Sequence, residues 1–140
     1  MITYVDTSSL LKLIVEEPGS DRAALIWDTA DALAAASVIV AEGRAALAAA
    51  ARGGRITAAQ HRNAKRELPA LIDELALVQV TDELVGRAAD LAEAESLRAY
   101  DAVHLAAALT VGATVLTSAD TALCDAALRQ GLHVANPLEG

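Results

Sequence analysis

What most constrains the fold of this chain is an alternation: short apolar runs take turns with stretches whose apolar residues recur at helical spacing. The runs cover residues 2–5, 32–36, 76–80, 114–116 and 132–135. Between them, residues 10–14, 24–27, 38–51, 84–97, 103–109 and 123–128 repeat apolar side chains in the pattern that lines one face of a helix. Strands that alternate with helices are joined by right-handed crossovers and build a parallel sheet covered on both faces. The expected fold class is therefore α/β, a five-stranded parallel sheet flanked by helices in three α/β/α layers.

Local punctuation supports these elements. Ser8 or Ser9, Ser20, Ser37, Thr57, Thr81 and Ser118 precede helical stretches as expected N-caps. Gly53-Gly54, Gly112 and Gly131 follow such stretches, and Pro18-Gly19 separates the first two helices. Pro69 falls inside the 57–75 stretch, where it should kink the helix or begin its second half. A length of 140 residues without repeat or linker predicts a single domain over 1–140.

Hydrophobic residues make up 54% of the chain, yet Phe is absent and Tyr4, Trp27 and Tyr100 are its aromatics. The core must then be built from Ala, Leu, Val and Ile, which lets helices approach closely. No apolar run nears the roughly 18 residues that span a bilayer, and the first residues lack the pattern of a secretory signal. Cys124 is the single cysteine, so no internal disulfide forms, a reducing cytoplasm is the expected compartment, and the thiol reads as buried and inert.

A parallel sheet of this kind binds ligands at the carboxyl ends of its strands, where the strand order reverses. Asp6 closes the first run and Asp120 lies just past the fourth, so the two acids meet if those strands are neighbours. Glu42 interrupts an apolar helix and shares a face with Val38, Ile39 and Ala45; a charge placed there needs a partner. Asp101 opens an almost wholly apolar helix, in the first turn where an acid is tolerated. His104, one turn later between Val103 and Leu105, reads as a partly buried packing residue, because no second histidine stands at ligand spacing.

Net charge is -8, which at first sight disfavours a polyanionic ligand, but the charge is unevenly spread. Residues 43–66 contain no acid and hold Arg44, Arg52, Arg55, Arg62, Lys65 and Arg66, six of the eleven basic residues. Surface helices usually interleave both signs, so this stretch is a candidate nucleic-acid contact.

The same acids carry a family resemblance. Val5-Asp6-Thr7-Ser8, the isolated Glu42, Tyr100-Asp101-Ala102 and Leu116-Thr117-Ser118-Ala119-Asp120 resemble the four motifs of PIN domains, in the same order and over essentially the whole chain. The subtype is similar to the VapC toxins of bacterial type II toxin-antitoxin pairs. That resemblance implies a divalent-metal endoribonuclease, frequent homodimerisation and inhibition by a small antitoxin. One departure is Leu123 or Cys124 where such proteins often carry an aromatic residue.

Acids rather than histidines suit this chemistry, because Mg2+ and Mn2+ prefer hard oxygen ligands. Asp6, Asp101 and Asp120 are expected to bind the metal directly or through water, and Glu42 to bind a second metal or orient the attacking water. Ser8, Thr117 and Ser118 are expected to orient the carboxylates by hydrogen bonds. An alternative in another class is a non-catalytic PIN-fold binding module that captures a protein or RNA partner. Intact acids at all four positions speak against it. A phosphoacceptor receiver would need an acidic pair near the first strand and a late lysine, and a dehalogenase-type phosphatase would need Asp where Ser8 stands; both patterns are missing.

Overall fold

A computed structural model describes residues 1–139, which form five strands and seven helices. The strands are β1 (Ile2–Val5), β2 (Ala32–Ala36), β3 (Ala76–Val78), β4 (Val115–Thr117) and β5 (His133–Ala135). The helices are α1 (Thr7–Leu11), α2 (Ser20–Thr29), α3 (Ile39–Arg52), α4 (Ala58–Asp73), α5 (Asp82–Glu95), α6 (Ala99–Thr110) and α7 (Thr121–Arg129). Every strand pair is parallel and the order is β3-β2-β1-β4-β5. The chain winds outward from β1 to β3, then returns to lay β4 and β5 on the other side. The order therefore reverses between β1 and β4, and the two strands expected to bring Asp6 and Asp120 together are neighbours.

Successive strand residues point to opposite faces, and this divides the core in two. Tyr4, Ala34, Ala36 and Leu116 pack with residues of α5, α6 and α7, while Val5 and Ala35 pack with Leu10, Trp27, Ile39, Leu47 and Leu68 from α1 to α4. The three α/β/α layers follow from that division. Alanine sets the spacing of the first layer: Ala34 to Ala36 on β2, and Ala102 and Ala106 to Ala108 on α6, are at most 1% exposed. Helix α6 lies against β2 and α5, and short side chains on both surfaces bring its backbone near the sheet.

The elements differ from expectation in ways that matter for the site. Strand β4 is shifted by one residue and ends at Thr117, because the Asp6 N–H reaches the Thr117 carbonyl at 3.0 Å and prolongs the β1–β4 ladder. Strand β3 ends at Val78, two residues early, and Thr81 turns to cap α5 by accepting the Leu84 N–H at 3.2 Å. Thr57 caps α4 as expected, with Gln60 returning the bond as a capping box. The expected serine caps are displaced: Asp6, Gly19, Val38 and Asp120 occupy the N-cap positions of α1, α2, α3 and α7. Gly19 succeeds there because its φ of +90° suits a residue without Cβ, and a Cβ would stand 2.9 Å from the Pro137 carbonyl oxygen.

Pro69 does not restart α4, which runs through it from Ala58 to Asp73. Its missing N–H leaves the Lys65 carbonyl without an intrahelical donor, at an exposed residue. Among the described residues no helix is long and apolar enough to cross a membrane.

Candidate active site

Asp6 leaves β1 at its carboxyl end and is 6% exposed. Its Oδ2 accepts two hydrogen bonds of 2.8 Å, from Ser8 Oγ and Ser118 Oγ. Ser8 Oγ also accepts the Ala119 N–H at 2.9 Å, and Ser118 Oγ the Asp120 N–H at 3.0 Å. The two serines read as caps thus stitch the loop after β1 to the loop after β4, because an ionised carboxylate competes for their hydroxyls. Thr117 does not touch an acid: the one-residue extension of β4 keeps it within the strand, where its hydroxyl pairs with Ser9 Oγ at 3.0 Å.

Glu42 stands in the first turn of α3 and is held from below. Its Oε1 accepts from Thr7 Oγ1 at 2.9 Å and from His104 Nε2 at 2.6 Å. His104 is 1% exposed, not partly buried, and its ring is fully engaged in polar contacts. Its Nδ1 lies 2.6 Å from Tyr4 Oη, which accepts the Ala36 N–H at 2.9 Å. His104 Nε2 also faces Asp6 Oδ1 at 3.6 Å, so the imidazole sits between two of the four acids.

Charges move accordingly. Burial pushes the Glu42 carboxyl up, but the hydrogen bond and charge of His104, with the Thr7 hydroxyl, outweigh it and hold the group below its usual 4.5. Burial pulls His104 down, but the Glu42 bond and the charges of Asp6, Glu42 and Asp101 raise it above its usual 6.5. Tyr4 is raised by burial, against the pull of the Ala36 N–H, and stays protonated.

Asp101 and Asp120 occupy the outer side. Asp120 Oδ1 caps α7 through the Leu123 N–H at 3.1 Å. The Arg98 guanidinium stands 3.5 Å from an oxygen of Asp101 and 3.5 Å from Asp120 Oδ2, while its own side chain is 85% exposed. Asp101 is raised above its usual 3.8, by burial first and then by the negative charges of Asp120 and Asp6, with Arg98 and His104 opposing. Burial and the same acids push the Cys124 thiol up to about 11, so it stays protonated and donates to the Ser118 carbonyl at 3.3 Å.

Thus Asp6, Glu42, Asp101 and Asp120 gather on one rim, Asp6 and Glu42 through His104, Asp101 and Asp120 through Arg98. Among the described residues each of them keeps at least one oxygen outside any hydrogen bond: Oδ1 of Asp6, Oε2 of Glu42, both of Asp101 and Oδ2 of Asp120. No three His, Cys, Asp or Glu of the described residues stand as a ready-made metal cage. The donor set nevertheless fits a hard divalent cation: among the described residues, four carboxylates face only Arg98 and His104.

A hollow of about 280 Å³ opens among Glu42, Arg98, Ala99, Tyr100 and Asp101. A larger groove of about 580 Å³ runs from Ser8 past Leu11, Lys12 and Val15 to Leu47 and Arg55. Arg44, Arg52, Arg55, Arg62, Lys65 and Arg66 are all exposed on α3, α4 and the turn between them, and among the described residues none enters an ion pair. They lie outside the acidic rim.

Residues 3–128, a span that includes all four acids, match the family model of the PIN domain. The chain belongs to the PIN-domain family. Ribonuclease VapC45 of Mycobacterium tuberculosis is 38% identical over 134 residues, covering 96% of this chain and 91% of that protein. Among solved structures, FitAcB from Neisseria gonorrhoeae superposes with a TM-score of 0.74 at 18% identity over 100% of both chains. A toxin-antitoxin complex from Klebsiella pneumoniae does so with a TM-score of 0.68 at 18% identity, covering 96% of this chain and 97% of that one. The five-stranded parallel sheet expected from the sequence is thus the sheet of a PIN domain.

Sequence reasoning took His104 for a packing residue and missed Tyr4. A usable signal existed for the first: an imidazole within an otherwise apolar helix must find a polar partner once buried.

Proposed function

We propose that this PIN domain is a metal-dependent endoribonuclease and the toxin of a toxin-antitoxin pair. The observation that carries the reading is the crevice at the β1–β4 reversal, where each of four carboxylates keeps an oxygen outside any hydrogen bond. The ribonuclease name of a relative 38% identical over 96% of the chain supports the activity. Asp6, Asp101, Asp120 and Glu42 would hold Mg2+ or Mn2+. When bound, such an ion supplies Lewis acidity for the scissile phosphate and lowers the pKa of a water.

The chain's own residues then have separate tasks. Ser8 and Ser118 fix Asp6 so that Oδ1 faces the crevice. Glu42 turns Oε2 outward as an acceptor for the attacking water, since Oε1 is already filled by two donors. Arg98, 85% exposed, meets the phosphate beside the cut, and Tyr100, 62% exposed in the same hollow, offers its ring to a base. The six exposed basic residues of α3, α4 and their turn supply sequence-independent attraction to the RNA backbone.

The groove beside Ser8, with apolar walls from α1 and α3, suits a segment of the antitoxin polypeptide. A homodimer is expected on the family likeness, checked by solution mass at varied concentration. The lone buried thiol suits a cytoplasmic protein.

Purified protein should cleave RNA with Mg2+ or Mn2+ and stop when EDTA removes the ion. Asp6→Asn and Asp101→Asn should abolish cleavage while folding survives. Cleavage that persists in either variant, or in EDTA, sinks the reading; metal and RNA binding without any cleavage points to the binding-module alternative. Mapping cuts in total RNA with and without the antitoxin identifies substrate and inhibitor together.

A further inference from the structure

We infer that Tyr4 and His104 are positioning residues: a buried hydrogen-bond chain, anchored on the sheet backbone, aims the Glu42 carboxylate. The inference rests on the ribonuclease reading only for its consequence, not for its geometry.

The chain begins at the Ala36 N–H, which donates to Tyr4 Oη at 2.9 Å, continues to His104 Nδ1 at 2.6 Å, and ends with His104 Nε2 at 2.6 Å from Glu42 Oε1. An ionised carboxylate can only accept, so Nε2 carries the proton facing Glu42. With the imidazole neutral, Nδ1 is then the acceptor and the Tyr4 hydroxyl donates to it. All three polar atoms of Tyr4 and His104 are locked, since Tyr4 is 0% and His104 1% exposed. Thr7 Oγ1 fills the remaining place on Oε1 at 2.9 Å.

The consequence is directional. Oε1 is turned inward by two donors, and Oε2 is the oxygen left for the crevice. The anchor is the last residue of β2, so the distance between Glu42 and Asp6 is tied to the β1–β2 register rather than to a mobile side chain. None of this chain is explained by packing alone: leucine at 104 and phenylalanine at 4 would fill the same core without three polar atoms to satisfy.

Three variants test it: Tyr4→Phe, His104→Leu, and His104→Gln, which keeps an N–H donor near the place of Nε2. In the RNA-free, metal-free protein, the parent should show a slowly exchanging, downfield imidazole proton in its NMR spectrum. That proton should shift in Tyr4→Phe and disappear in His104→Leu. In cleavage, Tyr4→Phe and His104→Leu should lose about 10-fold to 100-fold in kcat with KM nearly unchanged, and His104→Gln should recover most of the loss. Combined with Glu42→Gln, His104→Leu should cost nothing further, whereas a merely structural role would add to it and lower the folded fraction.

A parent that lacks the downfield proton, or a folded His104→Leu with the parent's kcat, overturns the inference. A protein that shows the proton but cuts no RNA with any divalent ion overturns the ribonuclease reading instead.

Discussion

The fold disfavours the ionised form of Asp101, by burial and by the charges of Asp120 and Asp6. A carboxyl raised in the folded state weakens folding at pH values above its ordinary 3.8 and leaves it unaffected well below. Asp101→Asn should therefore raise the Tm of the metal-free protein at pH 7, with the gain fading toward pH 3, even as it removes cleavage. Calorimetry in EDTA across pH checks the sign. Glu42 and His104 titrate in the opposite sense. The lowered Glu42 contributes stability above its ordinary 4.5 that is lost as pH falls through its folded value; the raised His104 contributes stability below its ordinary 6.5 that is lost as pH rises through its folded value. The Tm difference between parent and Glu42→Gln should be largest between those two limits and shrink on the alkaline side. A difference that grows toward pH 9 would contradict the assigned pair.

Helix starts show how one kind of residue serves two purposes. Thr57 and Gln60 form a reciprocal cap on an exposed helix end, with bonds of 3.1 and 2.7 Å. Thr57→Ala should cost about 1 kcal/mol of stability in urea unfolding and leave kcat unchanged, because α4 contributes none of the four acids. Ser8 and Ser118 have the sequence look of caps too, but their hydroxyls go to Asp6. Changing them to Ala should act on the carboxylate they aim and leave helix stability nearly intact, the reverse of Thr57. A short-range rule reads the first case correctly, since Thr57 and Gln60 are three residues apart and solvent offers no rival. The same rule, taken alone, makes caps of the serines as well; Ser8 lies two residues from Asp6, whereas Ser118 reaches it only when β1 and β4 pair.

At the level of the whole molecule, a net charge of -8 is compatible with RNA as substrate because the two signs are segregated. The basic residues sit together on α3, α4 and the turn between them, apart from the acids of the crevice. Divalent metal at about 100 times its Kd should stabilise the fold by about 2.7 kcal/mol, read as a rise in Tm that Asp6→Asn abolishes; Asn keeps an acceptor for the two serines, so the variant should still fold. Neutralising Arg52, Arg55 and Arg62 together should lower the slope of log affinity against log salt by about 2 for single-stranded RNA. An unchanged slope and affinity would remove that surface from RNA binding.

Much of this was legible beforehand. Strand β1, strand β2, the parallel α/β/α architecture and the rim positions of Asp6, Asp101 and Asp120 all follow from patterns within a few residues of each position. Apolar periodicity is a local property, and an acid at a strand end announces itself against apolar neighbours. The folded chain alone decided what the acids touch: Tyr4 meets His104 across 100 residues, His104 meets Glu42 across 62, and Ser118 meets Asp6 across 112. Hydrogen bonds at such separations leave no trace in local spacing, because each partner, taken alone, is equally at home in a core or a cap. Only the reversal of strand order between β1 and β4, and the close approach of α6 that alanine permits, give those side chains their partners.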